Sequence, residues 1–342
     1  MKPAISVIVV NWKRDALLAN ALASLTKQTM PAEIIVVDNE SSNESSGRAH
    51  PLSEVFPDVR WIFNPRNEGF CRANNQGIAV ARGEFIALLN NDAEADPHWL
   101  EALHSCFRAQ DVGMAASKIT LYADHRIIDK TGHLIYPDGQ NRGRGTGQTD
   151  CGQFDREEET LWPDGCAAMY RRSMLAEIGG FDEILFAYGD DAELGLRARI
   201  AGWRCIYTPR AVVRHHRELT GRASWRRIAL IERNRVLLAV RHFPPGLLWR
   251  NGYYYALRIA SGIWAASRGA GETGLFPGIG GKLRILWGLI AGDFRALTML
   301  PRTLRKRAAA RGLRKLTSRE IHSLILRNRI SLRELSTKAA TP

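Results

Sequence analysis

Cysteine is scarce and unpatterned in this chain of 342 residues. The five cysteines, Cys71, Cys106, Cys151, Cys166 and Cys205, are odd in number and no two stand as Cys-x-x-Cys. That excludes a zinc ribbon and a disulfide framework, and reads as reduced thiols in a cytosolic protein. Long clean apolar runs are also missing. Leu247–Trp264 is broken by Arg250, Asn251 and Arg258, and Leu283–Leu300 by Arg284, Asp293 and Arg295. Neither supplies the roughly 20 apolar residues that a membrane-spanning helix needs. The apolar start, Ile5 to Val10, is too short for a secretory signal, and Asn11-Trp12-Lys13-Arg14 follows it where a small-residue cleavage site would stand. No phosphate-binding P-loop is present, and no Gly-x-Gly-x-x-Gly follows a strand, which argues against an ATPase or a dinucleotide-dependent dehydrogenase.

Acidic residues are missing from one end. Residues 222–342 hold 24 Lys and Arg against 5 Asp and Glu, a net of +19, whereas residues 1–221 hold 24 against 30, a net of −6. A mildly acidic body therefore precedes a strongly basic region suited to an anionic surface. We expect a division at 1–221 and 222–342. In the basic region, Ser224–His242 reads as a helix, and Phe243-Pro244-Pro245-Gly246 ends it. The two interrupted apolar stretches suit amphipathic helices in a membrane interface, or helices packed on the body or on a second subunit. Arg302–Lys315 is basic enough to touch nucleic acid, but no nucleic-acid fold pattern accompanies it, so lipid is the preferred partner.

What is present in the body is alternation. Ile5–Val10, Ile34–Val37, Val59–Phe63 and Phe85–Leu89 read as strands, and the segments after the first and third of them, Leu17–Leu25 and Ala73–Ala81, have apolar residues at helical spacing. Asp15 is expected to cap the first helix and Asp96-Pro97 to open another. Such repetition implies a parallel or mostly parallel sheet. Residues 123–163 are less regular. Gly143–Gly147 reads as a mobile polar loop near the site, and Asp155–Glu159 as a solvated acidic run. Ala211–Val213 is a short strand leading into His215 and His216. Ligands in open α/β sheets bind beyond the carboxyl ends of the strands. Phe85–Leu89 ends there in Asn90-Asn91-Asp92, a carboxylate suited to a divalent cation between protein and phosphate, or a polar turn that caps a helix.

Taken in order, Ser6–Trp12, Gln28-Thr29, Glu33–Asn39, Asn67–Asn75, Gly83–Asp92, Gly179–Glu183, Tyr188–Arg197 and Gly202-Trp203 resemble the family 2 glycosyltransferases, and among them the bacterial rhamnosyltransferase-like branch. The resemblance covers roughly residues 4–240. It implies a GT-A fold, α/β with a Rossmann-like, mostly parallel sheet flanked by helices, followed here by the basic helical region. It implies that Asp38 binds the base of a nucleotide-diphosphate sugar, with Val10, Asn11 and Trp12 lining the pocket. Asn67, Gly69 and Arg72 would border the nucleotide. Asn90-Asn91-Asp92 stands at the Asp-x-Asp position, with Asn91 beside the donor and Asp92 as the main ligand of Mg²⁺ or Mn²⁺. The first acid of that motif is Asn90 here. Asp191 matches the catalytic base, with Asp190 where the family usually has Glu. His215 matches a late His at the metal or diphosphate, and the adjacent His216 is an alternative.

The activity implied is inverting, metal-assisted transfer to a saccharide, expected to be lipid-linked, at the inner face of the plasma membrane in cell-surface polysaccharide synthesis. Rhamnose from a deoxythymidine diphosphate donor is the expected sugar. The alternative is a catalytically inert sugar-nucleotide-binding or scaffold protein of a polysaccharide assembly. The joint presence of Asp38, Asp92 and Asp191 argues against it.

Overall fold

The computed structural model describes residues 3–40, 50–217, 224–268, 276 and 278–337. The chain divides into two compact units. One comprises Met1–Gly132, Gln148–Arg199 and Trp203–Glu218; the other comprises His133–Gly147, Ile200–Gly202 and Leu219–Pro342. The division expected at 221/222 falls on residues outside those described.

The first unit is built on strands that are apolar because they are covered on both faces. β1 (Ile5–Asn11), β2 (Ala32–Asn39), β3 (Arg60–Asn64) and β4 (Phe85–Leu89) run parallel in the spatial order β3-β2-β1-β4. All five residues of β4 are buried, as its unbroken Phe-Ile-Ala-Leu-Leu predicts. Helices α1 (Asp15–Leu25), α2 (Leu52–Val55) and α3 (Gly69–Val80) make the crossovers. Asp15 is the first residue of α1 rather than its cap. Its carboxylate instead accepts hydrogen bonds from Asn11 and from His50.

Beyond β4 the sheet becomes mixed. After β5 (Ala93–Ala95), α4 (Trp99–His104) begins three residues past Asp96, whose carboxylate accepts from the His98 N–H. β6 (Val112–Leu121) is buried along its whole length. β7 (Ile128–Lys130) pairs with β6. Within the second unit, β8 (His133–Ile135) and β9 (Asn141–Gly143) form a separate hairpin. β10 (Glu158–Thr160), β11 (Ala167–Arg171) and β12 (Arg204–His215) complete the large sheet. β11 runs antiparallel between β4 and β6, and β12 runs parallel to β6. Helix α5 (Arg172–Ile178) follows β11, and α6 (Asp190–Ile200) precedes β12.

Two local expectations are corrected. Gly143, Gly145 and Thr146 are buried, and the Thr146 hydroxyl donates to the Gly143 carbonyl at 2.9 Å, so this segment is a packed turn. The acidic run is paired as well as solvated: Asp155 meets Lys118, and Glu159 meets Arg199 and Arg204.

Besides the β8–β9 hairpin, the second unit is built of helices: α7 (Trp225–His242), α8 (Pro245–Trp249), α9 (Asn251–Ser267), α10 (Gly278–Thr298), α11 (Leu300–Ala309), α12 (Ser318–Arg327) and α13 (Leu332–Thr337). Ser224 stands at the start of α7 as expected. A buried ionic cluster holds the unit together. Arg258 meets Asp138 at 2.5 Å and Glu232 at 2.9 Å, and Arg235 meets Glu232 at 2.6 Å. Both guanidinium groups lie over the Tyr255 ring. Burial alone would raise the Glu232 carboxyl, but Arg258 and Arg235 overcome it and hold the group below its usual range. Removing one member strands buried charge, which typically costs about 3–5 kcal/mol. Arg258→Ala should therefore lower the urea midpoint by a stability loss of that order, and an unchanged midpoint would show that the cluster is not a stabilising element.

Candidate active site

The site is assembled by strand register. Asn11 and Asp38 are paired neighbours at the carboxyl ends of β1 and β2, and both are buried. The Asn91 side chain donates to Asn11 Oδ1 at 2.7 Å, tying the turn after β4 to the end of β1. Val10 is half-buried, and Trp12 beside it is 49% exposed with the Lys13 ammonium near its ring.

β12 runs antiparallel to β5 with His215 opposite Ala93, which sets His215 against Asp92. His215 Nε2 lies 3.2 Å from Asp92 Oδ1, and its Nδ1 lies 2.8 Å from Asp129 Oδ2. Asp129 reaches this place because β7 folds back on the end of β6. Arg14 Nη1 pairs with Asp92 Oδ2 at 3.2 Å, and Arg217 Nη1 stands 3.0 Å from Asp129 Oδ1. Burial would raise both carboxyls. The His215 and Arg14 charges hold Asp92 below its ordinary range, and Lys130, His215 and Arg217 do the same for Asp129. Burial likewise disfavours the His215 imidazolium, yet its contacts with Cys166, Asp129 and Asp92 raise it well above an ordinary histidine. His216 is engaged elsewhere. Its Nε2 is 3.0 Å from Glu94, and its ring stacks on Tyr122 at 3.7 Å.

A carboxylate and an imidazole are donor types that hold a divalent cation once the imidazole has released a proton. An acid and an imidazole converge within 3.2 Å, and a buried carboxylate sits behind the imidazole, the arrangement that fixes a metal-binding histidine. Asn90 contributes through its backbone, bonding to Cys166 and Ala93, and Asn91 is turned to Asn11.

A second acidic group lies at the start of α6. The Gly165 and Ala192 N–H groups donate to the Asp191 carboxylate at 3.4 and 2.7 Å. The carboxylates of Asp164 and Asp191 approach within 4.8 Å, and Lys130 Nζ pairs with Asp164 at 2.7 Å. A helix start favours carboxylates, but for Asp190 burial and the neighbouring Asp191 charge win, and its pKa is pushed up to about 8. The residues leading into the helix are strained: Phe186 and Tyr188 have φ of 65° and 68°. The other described non-glycine residues at positive φ are Lys13, Glu40 and Arg217, each just after β1, β2 or β12. Strain concentrated on one rim in this way marks a functional edge.

Asn67, Gly69 and Arg72 form a separate border. Asn67 Oδ1 accepts from Asn39 Nδ2 and from the Gly69 N–H, both at 2.9 Å. Gly69 has φ +85°, and a Cβ there would lie 2.5 Å from the Phe186 ring, so only glycine fits. Arg72 is exposed and paired with Glu68. Arg14, Asp129, Lys130 and Asp164 escaped sequence reasoning. The visible trace of Asp129-Lys130 is an acid next to a base immediately after the apolar Ile127-Ile128.

Known proteins share this architecture. Residues 3–235 match the family described as glycosyltransferase like family 2. The O-antigen biosynthesis protein RfbC of Myxococcus xanthus is 30% identical over 234 residues, covering 65% of this chain but only 18% of that protein. The N-acetylglucosaminyl-diphospho-decaprenol L-rhamnosyltransferase of Mycobacterium tuberculosis is 27% identical over 283 residues, covering 75% of this chain and 90% of that protein. Among solved structures, a mannosyltransferase of Pyrobaculum calidifontis in complex with GDP-Man and Mn²⁺ aligns with a TM-score of 0.51 at 18% identity. That alignment covers 87% of this chain and 88% of the other. GalNAc-T7 with UDP, GalNAc and Mn²⁺ aligns with a TM-score of 0.59 at 18% identity, over 76% and 51% of the two chains.

The Asp190 shift has a measurable consequence. Between the ordinary Asp pKa and about 8, the folded protein keeps a proton that the unfolded chain releases, so this group lowers stability as pH rises and levels off above about 8. Asp190→Asn, which is always neutral, should match wild type near pH 4 and gain thermal stability relative to it up to about pH 8. A difference independent of pH would contradict the buried proton.

Proposed function

The chain belongs to the glycosyltransferase-like family 2 and has the GT-A fold, and from that premise we propose that it transfers a sugar with inversion from a nucleoside diphosphate donor to a saccharide hydroxyl. The observation that carries this reading is the approach of Asp92 and His215 to 3.2 Å at the carboxyl rim of the sheet, with Asp129 behind. The base of the donor is assigned to the Asn11–Asp38 pair, with Val10 and Trp12 beside it and Asn67, Gly69 and Arg72 bordering the nucleotide. Asp92 and His215 are the residues that would hold Mg²⁺ or Mn²⁺. The bound ion supplies charge neutralisation to the departing diphosphate.

Asp191 is the base in this reading. The acceptor oxygen forms a bond to the anomeric carbon as the bond from that carbon to the diphosphate oxygen breaks, and the hydroxyl proton passes to Asp191. A single displacement inverts the centre and needs no covalent sugar–protein species. Asp190, holding its own proton, leaves Asp191 as the proton acceptor of the pair, and Gly165 orients it. Lys130 partly offsets the third acid, Asp164.

The mycobacterial relative, matched over most of its length, is named for rhamnosyl transfer to a diphospho-decaprenol saccharide. That name supports rhamnose as the sugar and a lipid-linked saccharide as the acceptor, and in this reading the reaction takes place at the cytoplasmic face of a membrane in cell-surface polysaccharide synthesis.

A panel of nucleotide sugars, read by release of nucleoside diphosphate with a saccharide acceptor, tests the reaction itself. Chelator should abolish turnover and added Mg²⁺ or Mn²⁺ should restore it, while Asp92→Asn should weaken metal-dependent nucleotide binding. Full activity in chelator with no metal on the protein would remove Asp92 and His215 from that role. Asp191→Asn should reduce turnover by about 100-fold or more with donor binding nearly intact. Asp190→Asn should be milder, and the reverse ranking would reassign the base.

A further inference from the structure

Helix α10 is built inside out. A helix on a water-soluble protein turns its large apolar residues inward and its polar ones outward. In α10 the buried residues are Gly288, Gly292 and Ala296. They face α7 at close range: a Cβ on Gly288 would lie 2.8 Å from Ile228 Cβ, and one on Gly292 would lie 2.6 Å from the Ala229 carbonyl oxygen. No room for large side chains exists on that side. Leu283, Leu286, Trp287, Ile290, Phe294 and Leu297 lie on the opposite side, each between 52% and 66% exposed, with the Trp287 ring 6.5 Å from that of Trp225 on α7. Their spacing of three, one, three, four and three places them on an arc of about 100° along one face. Lys282, Arg284 and Arg295 are exposed on the same helix.

We propose that this face of α10 is a docking surface for an anionic lipid bilayer, on which the helix lies parallel to the membrane plane with the six side chains inserted at the headgroup boundary. Among the described residues no helix is long and apolar enough to cross a membrane, so the contact is interfacial. Charge selects the occupant. The region from 222 onward carries a net +19, which attracts an anionic surface and repels another copy of itself, so a bilayer is favoured over self-association. The cations beside the stripe reach the headgroups while their stems lie along the apolar boundary. The inference deepens the proposed function, because a lipid-linked acceptor resides at that surface, and it rests on that reading only for its purpose.

The test uses the full chain with vesicles of phosphatidylcholine alone or mixed with phosphatidylglycerol, at low and high salt. Donor turnover with a soluble acceptor and the sedimentation mass are measured alongside. Wild type should co-sediment with the mixed vesicles, weaken in salt and keep a salt-resistant remainder. The variant Leu286→Glu, Ile290→Glu, Phe294→Glu should lose vesicle affinity by about tenfold or more, with soluble turnover unchanged. The single Phe294→Ser should lose a smaller factor, and soluble turnover reports that each variant is folded. Wild type that ignores both vesicle types, or a triple variant that binds as well as wild type, overturns the inference. So does a triple variant that only converts an oligomer to a monomer, which would make the face a contact between copies. In each of those cases, retained soluble turnover leaves the glycosyltransferase reading standing.

Discussion

One imidazole holds the site together. His215 sits between Asp92 and Asp129, and each carboxylate has its own cationic neighbour, Arg14 or Arg217. The chain of charges crosses four strand ends: β1 through Arg14, β4 through Asp92, β7 through Asp129 and β12 through His215. Burial alone would favour the neutral forms of Asp92, Asp129 and His215. They persist as ions because each is the other's solvent, and loss of one leaves the next unpaired in a low-dielectric setting. The placement of Asp92 therefore depends on residues that are far apart in the chain.

The parts of the fold that were legible in the sequence are those whose cause is local. β1, β2 and β4 are buried on both faces, so they appear as short apolar runs ending in polar residues at the sheet rim. The α7 start at Ser224 and the break at Phe243-Pro244 follow from side-chain and backbone chemistry within a few residues. The second half of the sheet was less legible. The antiparallel insertion of β11 between β4 and β6, and the return of β7 onto β6, are decided by tertiary pairing. The packed turn at Gly143–Thr146 was misread as mobile because glycine and polar residues carry the same local sign in both settings.

Site residues divide along the same line. Asp38 and Asp92 follow directly from strands that the sequence displays. Asp129 lies on a strand of three residues, too short for any periodicity, and its partnership with His215 depends on how β6, β7 and β12 pair. The choice between His215 and His216 was open in the sequence because neighbouring residues on a strand face opposite ways. Register alone sends one to Asp92 and the other to Glu94 and Tyr122.

The proton on Asp190 bears on how an anionic ligand reaches this rim. Residues 1–221 are net negative by 6, so the far field of that part of the chain opposes a diphosphate. Close in, the balance differs. With Asp190 neutral, the formal acids Asp92, Asp129, Asp164 and Asp191 are matched in number by Arg14, Lys130, His215 and Arg217. These eight groups thus cancel formally among themselves, although residues 1–221 as a whole do not. Salt, which screens exposed charges beyond about 8–10 Å, therefore changes the field around the rim far more than the paired charges within it.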